Sequence, residues 1–256
     1  MNDLALHPRQ FSPSVREMAY APPSNVQQID LSELLDRHGG QPLEAKQLDL
    51  VFGRETGQQA RRPSKPIWYA GALESLRAPA VAIVGTRNVT GAGAARARKL
   101  ARGLAAAGVA VVSGLAEGVD TEALTEAMSA GGRVAAVIGT PIDKAYPAKN
   151  AGLQEAIYRD HLLISQFAIG TRTFRSHFPE RNRLMAAVTD ATVVIEATDK
   201  SGTIHQSWEC VKLGRWLFIA KSIVDDASLT WPAKFLGYEN CVVLERVEDV
   251  LERIGG

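Results

Sequence analysis

The sequence predicts an α/β fold: an extended, Rossmann-like, mainly parallel and doubly wound sheet with flanking helices. Three observations predict it. Short, continuous, largely β-branched apolar runs recur at residues 67–70, 81–84, 109–112, 134–138, 162–164, 192–195 and 217–220, as expected of strands covered on both faces. Helical patterns fall between them, and parallel neighbours need such crossovers. Glycines and hydroxyl residues follow several of the runs, where strand-exit turns are expected.

The elements follow in order. Residues 1–66 carry scattered prolines (Pro8, Pro13, Pro22, Pro23, Pro42, Pro63 and Pro66), glutamines and one amphipathic stretch near 29–37; a loosely structured arm with short helices is expected there. A single domain over 67–256 follows. Its apolar runs alternate with helices expected at 93–107, 121–129, 150–159, 180–188 and 204–213, and a last strand at 241–244 and helix at 248–254 close it.

Composition narrows the function. With 46% hydrophobic and 22% charged residues the chain is globular, and its formal charge of +1 means that any polyanion must be met by a local patch. Cys210 and Cys241 stand alone, with no CxxC and no neighbouring His pair. Neither a metal set nor a disulfide framework is expected, and the reading is a cytoplasmic protein. No apolar run approaches membrane length, and the first residues lack the pattern of a signal peptide.

Ligands of an open α/β sheet bind outside the carboxyl ends of its strands. There this chain places Gly85, Thr86 and Arg87; Ser113, Gly114 and Gly118; Gly139 and Thr140; and Lys200, Ser201, Gly202 and Thr203. Glycine after a buried strand exposes main-chain N–H groups, and the next helix N-terminus adds partial positive charge, which suits phosphate; the same glycines could equally serve tight turns. A dinucleotide is disfavoured. Gly91 and Gly93 begin a G-x-G-x-x-G in which Arg96 takes the third position, and Ser113 stands where a ribose-binding acid belongs.

Cations concentrate twice. Residues 85–102 hold Arg87, Arg96, Arg98, Lys99 and Arg102 with no acid, whereas Glu117, Asp120, Glu122 and Glu126 form an acidic counterpart. The run Arg172, Phe174, Arg175, His177, Phe178, Arg181, Asn182, Arg183 interleaves cations with aromatics, as single-stranded nucleic acid requires. The bland alternative puts both phenylalanines in the core, begins a helix at Pro179 and gives Arg183 an ion pair.

The ordered motifs VAIVGTRNVT, VVSGLAEGVDTEA, VIGTPIDKAYPAKN, SQFAIGT, FPERNRLMAA and VVIEATDKSGT, over roughly residues 66–254, resemble the Smf/DprA family of DNA-processing proteins. The resemblance implies single-stranded DNA binding, a homodimer, and help in loading a RecA-type recombinase during DNA uptake. It maps the family's GSR arginine to Arg87, its SGxAxGID loop to Ser113, Gly114, Gly118 and Asp120, its FPxRNR segment to Phe178, Arg181, Asn182 and Arg183, and its KSGS-like turn to Lys200 to Thr203. The expectation is a bare core without the family's preceding helical domain or following winged helix. Where the family has SExP, this chain reads Ser165-Gln166-Phe167, and Ile204-His205-Gln206 departs from it again.

Other roles remain open: a nucleotide sensor, or an antitoxin or phage-defence component with a toxin or other protein partner. Residues 200–206 also look like the phosphate turn of Lonely-guy nucleotide phosphoribohydrolases, but Gln206 holds the glutamate position and an amide is no base. No catalytic residue, metal or cofactor is expected. The histidines show no ligand spacing, although His177 and His205 could approach one another, and Trp216, Trp231, Phe235, Leu236 and Tyr238 could be core or a self-association face.

Overall fold

A computed structural model describes residues 20–53 and 64–255. Strand β1 (Gln27–Asp30) leads directly into helix α1 (Leu31–His38), where the Asp30 carboxylate caps Ser32 N–H at 2.9 Å and Gly39, at φ +68°, ends the helix. Helix α2 (Ala45–Phe52) opens on a Glu44/Gln47 capping box. The domain continues through β2 (Pro66–Gly71), β3 (Ala80–Val84), α3 (Gly91–Ala106), β4 (Ala110–Ser113), α4 (Val119–Ser129), β5 (Val134–Ile138), α5 (Ala151–Asp160), β6 (Leu162–Ser165) and α6 (His177–Ala187). It ends with β7 (Ala191–Val194), α7 (Thr203–Lys212), β8 (Trp216–Ala220), α8 (Lys221–Val224), β9 (Cys241–Leu244) and α9 (Glu248–Ile254).

The described strands form one sheet in the order β1-β2-β6-β5-β4-β3-β7-β8-β9. Strands β3 to β9 pair parallel with one another, with Val81 opposite both Val111 and Ala191. Helices α3, α4, α5 and α9 cover one face through Leu100, Leu104, Leu124, Ile157 and Val250. On the other, α1, α2, α6 and α7 contribute Leu34, Phe52, Leu184 and Cys210. The doubly wound expectation is met. The unbroken apolar runs at 81–84 and 134–138 arise because both their faces are covered.

Three expectations need correction. The run at 67–70 is a strand, but it lies antiparallel to β6 and to β1. The described part of the expected loose arm is built into the domain: β1 extends the sheet, and Ile29, Leu31, Leu34, Val51 and Phe52 enter its core. Scattered prolines misled the sequence reading because they flank these short elements rather than interrupt them. The rest of that arm, residues 1–19 and 54–63, lies outside the described residues. Helix α6 also begins earlier than expected, at His177, with Pro179 in its first turn, where no intrahelical N–H donor is needed.

The basic and acidic stretches largely cancel. Arg98 pairs with Glu122, and Arg102 with Glu126 at 2.7 Å, knitting α3 to α4. Such exposed pairs add on the order of 0–1 kcal/mol each, so they direct surface charge more than they stabilise. Trp231 and Phe235 are core, while Leu236 and Tyr238 are exposed. Both cysteines are free, and burial pushes the Cys210 thiol up to about 12 and that of Cys241 to about 11. Neither is poised as a nucleophile. No helix among the described residues is long and apolar enough to cross a membrane.

A buried polar clasp binds the N-terminal segment to the amino ends of the strands. Asp190 accepts the Ala80 N–H at 2.9 Å, and the His38 ring lies 3.6 Å away while bonding the Leu76 carbonyl. Arg215 reaches the Gln41 and Ala187 carbonyls. Burial raises the Asp190 carboxyl, but His38, the Ala80 amide and Arg215 outweigh it and hold it below the ordinary 3.8. A carboxylate held low stabilises the fold above its unfolded value and loses that contribution as pH falls through the folded one. Asp190→Asn is therefore expected to lower the urea midpoint at neutral pH and to flatten its decline below pH 3.8; an unchanged acid limb would refute this role.

Candidate functional site

From β3 the chain builds outward through β4 and β5 to β6, then crosses back to lay β7, β8 and β9 on the other side. At such a reversal the loops diverge and leave a crevice. A cleft of about 380 Å³ opens there, walled by Gly85, Thr86 and Arg87 after β3, by Lys200 to Thr203 leading into α7, and by Phe178, Arg181 and Asn182 on α6. A smaller slot of about 60 Å³ adjoins it, sharing Arg87, Ala116, Phe178 and Arg181 and adding Gly114, Glu117, Tyr146 and Pro147.

Two of the glycine turns are already filled by the protein's own carboxylates. Glu196 accepts from Thr90 N–H at 3.0 Å and from Thr90 Oγ1 at 2.6 Å, and meets Arg96 at 3.5 Å, so an anion sits at the N-terminus of α3. A Cβ on Gly93 would collide with that carboxylate, which accounts for the partial fingerprint without a dinucleotide. Asp120 does the same after β4, accepting Gly114 N–H at 3.1 Å and Ala116 N–H at 3.2 Å. Gly118, at φ +74°, lies against the main chain of Thr86 and Arg87, where no side chain fits, and Leu115 holds φ +59° between them.

Arg181 completes this brace. Its guanidinium donates to the Gly114 carbonyl at 2.6 Å and the Val137 carbonyl at 2.8 Å, so the main chain of Gly114 is held by Asp120 at its N–H and by Arg181 at its carbonyl. Burial raises the Asp120 carboxyl and lowers the Arg181 guanidinium, and each charge opposes the other's shift. Arg181 thus fixes β4 and β5 to α6, with only 8% of its surface exposed.

The expected site residues divide accordingly. Gly85, Thr86, Arg87, Phe178, Arg181, Asn182, Lys200, Ser201, Gly202 and Thr203 line the main cleft. Ser113 and Thr140 are buried, bonding the Ile83 and Lys144 carbonyls. Gly139 lies under the Phe178 ring, 2.8 Å from where its Cβ would be. Arg183 is turned away into an ion pair with Glu209 at 2.9 Å, as the bland alternative held, whereas Phe174 is 54% exposed and Phe178 half-buried rather than core. Arg175 is exposed outside both recesses. His177 stacks on Phe167 at 3.8 Å, apart from His205 in the cleft.

Ion pairing sorts the cations. Arg96, Arg98, Arg102, Lys149 and Arg183 each meet a carboxylate, whereas Arg87, Arg175 and Lys200 have none among the described residues. Thr198, which also lines the cleft, and Glu196, which organises the start of α3, were not among the expected site residues. An acid at the exit of β7, with a threonine and arginine at the start of α3, was the available signal. Gln206 is buried beneath the cleft, its amide donating to Thr192 Oγ1 at 3.2 Å.

The model of the DNA recombination-mediator protein A family matches residues 54–255. The chain belongs to this family. DNA processing protein DprA of Streptococcus pneumoniae is 39% identical over 163 residues, 63% of this chain and 57% of that protein. A putative DprA of Mycobacterium tuberculosis is 34% identical over 233 residues, 87% of this chain and 60% of that one. The match thus spans less than two thirds of these DprA relatives. The X-ray structure of the S. pneumoniae protein superposes with a TM-score of 0.67 at 33% identity, covering 75% of this chain and 67% of that chain. The Helicobacter pylori protein, solved to reveal its own single-stranded DNA binding mode, gives 0.67 at 24% identity over 83% of this chain and 93% of that chain, a likeness of fold.

Arg181→Met should strand two carbonyls and leave Asp120 a buried, uncompensated charge, lowering stability by about 3–5 kcal/mol in urea unfolding. Combining it with Asp120→Asn should cost less than the two single changes added together. Strict additivity would show that the two residues are not coupled through Gly114.

Proposed function

We propose that this chain binds single-stranded DNA in the cleft at the β3/β7 reversal and does so without catalysis. The carrying observation is that Arg87 and Lys200, cations with no carboxylate partner among the described residues, line the same recess as the Phe178 ring. Phosphates would be held by those two side chains, by the Ser201 and Thr203 hydroxyls and by main-chain donors at Gly202, where α7 begins. Arg175, exposed a turn before Phe178, would extend the cationic path. A single strand suits this arrangement because its bases are free to stack while its backbone follows the charges.

The lining supports a binding role over hydrolysis. Its carboxylate, Asp120, is buried and already accepts two amide hydrogens, and Gln206 offers an amide where a base would be needed. Family membership supports a cytoplasmic protein that works as a homodimer and passes the strand to a RecA-type recombinase. Sedimentation and a pull-down with the recombinase test those two parts separately.

Fluorescence anisotropy with a labelled single strand and its duplex is expected to favour the single strand. Affinity should fall with salt at a log–log slope of about −0.7 per phosphate neutralised. Arg87→Ala, which removes an exposed side chain, should flatten that slope by about 0.7 and leave the melting temperature unchanged. Equal affinity for the duplex, or thermal stabilisation by a mononucleotide with none by the oligonucleotide, would overturn the reading.

A further inference from the structure

We propose that a groove on the α3 face of the sheet is a second binding site, for a small amphipathic anion: a compact apolar body carrying one or two carboxylate, sulfonate or phosphate groups. The groove holds about 620 Å³ and lies outside the carboxyl ends of β7, β8 and β9, where Ile195, Ala220 and Leu244 form its floor. The crossovers on both sides of β7 run through α6 and α7 on the opposite face, so this floor lies open between α3 and the turn from β9 into α9. Leu100, Gly103 and Ala106 of α3 form one wall, and Val247, which lies against Gly103, belongs to the other. The groove is separate from the cleft at the β3/β7 reversal. Thr198 and Lys200 line the cleft, Ile195 lines the groove, and Glu196, paired with Arg96, stands between them in the chain.

Charge and size select the ligand. Arg96, Lys99 and Arg102 edge the groove from α3, and Lys221 and Arg246 from the β8 and β9 exits, against one lining carboxylate, the exposed Glu245. Lys99 meets no carboxylate among the described residues. The other four cations hold Glu196 at 3.5 Å, Glu126 at 2.7 Å, Asp225 at 2.8 Å and Asp249 at 3.5 Å, and Arg246 also meets Glu252 at 3.7 Å. Pairs as exposed as these contribute about 0–1 kcal/mol each, so an incoming acid can share or take the cation.

The floor and the rim make different demands. A purely polar anion would leave the apolar floor in water, and a neutral apolar molecule would leave the cations unused; one ligand with both features satisfies both. The volume falls within the roughly 300–1,000 Å³ usual for small-molecule sites. A protein partner normally buries about 800 Å² on each side, more than three strand ends and one helix wall offer.

The test titrates the full chain with 8-anilinonaphthalene-1-sulfonate, an apolar dye with one acidic group, and with N-phenyl-1-naphthylamine, the same body without the sulfonate. The sulfonate dye should bind saturably, one per chain, and more weakly as salt is raised. Lys99→Gln combined with Arg246→Gln, both exposed positions, should weaken it roughly tenfold, the effect of losing one charge-assisted contact, while the neutral dye and the melting temperature are unaffected. Ala106→Trp, at an exposed position of α3, should fill the groove and weaken both dyes. Arg87→Ala should weaken neither. Absence of saturable binding, or an equal effect of the double glutamine variant on the two dyes, overturns the site. Loss of the sulfonate dye in Arg87→Ala would put the dye in the cleft instead. A double glutamine variant that keeps the dye but loses affinity for single-stranded DNA would make these cations part of a nucleic-acid path, and a sedimentation change in Ala106→Trp would make the groove a contact between copies; either result also overturns the proposal.

Discussion

The main chain of Gly114, gripped by the Asp120 carboxylate through its N–H and by the Arg181 guanidinium through its carbonyl, holds the rest of the site in place. Strands that leave a buried parallel sheet carry polar main-chain groups into a region with little water, and those groups must be satisfied. Here the chain supplies its own ions. Through Gly114 and the Val137 carbonyl, α4, α6 and the ends of β4 and β5 are fixed to one another, and Phe178 and Asn182 inherit their positions from the same helix as Arg181.

The two internal carboxylates also decide where an external anion can go. Asp120 and Glu196 occupy the donors of the β4 exit and the start of α3, which leaves the α7 side of the crevice as the open end. Charge is arranged on the same logic. Arg96, Arg98 and Arg102 on α3 are answered by Glu196 and by acids of α4, whereas Arg87 and Lys200 in the cleft and Arg175 near it meet no carboxylate among the described residues. A protein with little net charge can thereby present a local attraction for phosphate.

Aromatic side chains complement those cations. Phe178 is half-buried and seated on Gly139, whereas Trp231 and Phe235 pack out of reach in the core. Apolar rings of similar size thus take opposite roles according to whether the neighbouring loop can bury them.

By itself the sequence determined the sheet and its crossovers, because continuous apolar runs such as 81–84 and 134–138 are stable only when covered on both faces, and helical spacers then force parallel pairing. It also located the strand-exit loops, since glycine and hydroxyl residues mark them chemically. What it could not decide was which polar groups in those loops face outward. Arg183 has the same chemistry as Arg87, yet it is spent on an ion pair with a residue 26 positions on, and Ser113 is likewise spent on a carbonyl 30 positions back. The antiparallel edge and the packing of residues 27–52 were likewise settled only by tertiary pairing, because short strands with few apolar residues acquire their direction from the neighbour they meet. Hydrogen bonds between residues distant in sequence leave no local pattern, and in this protein they separate the residues that build the cleft from those that can meet a ligand.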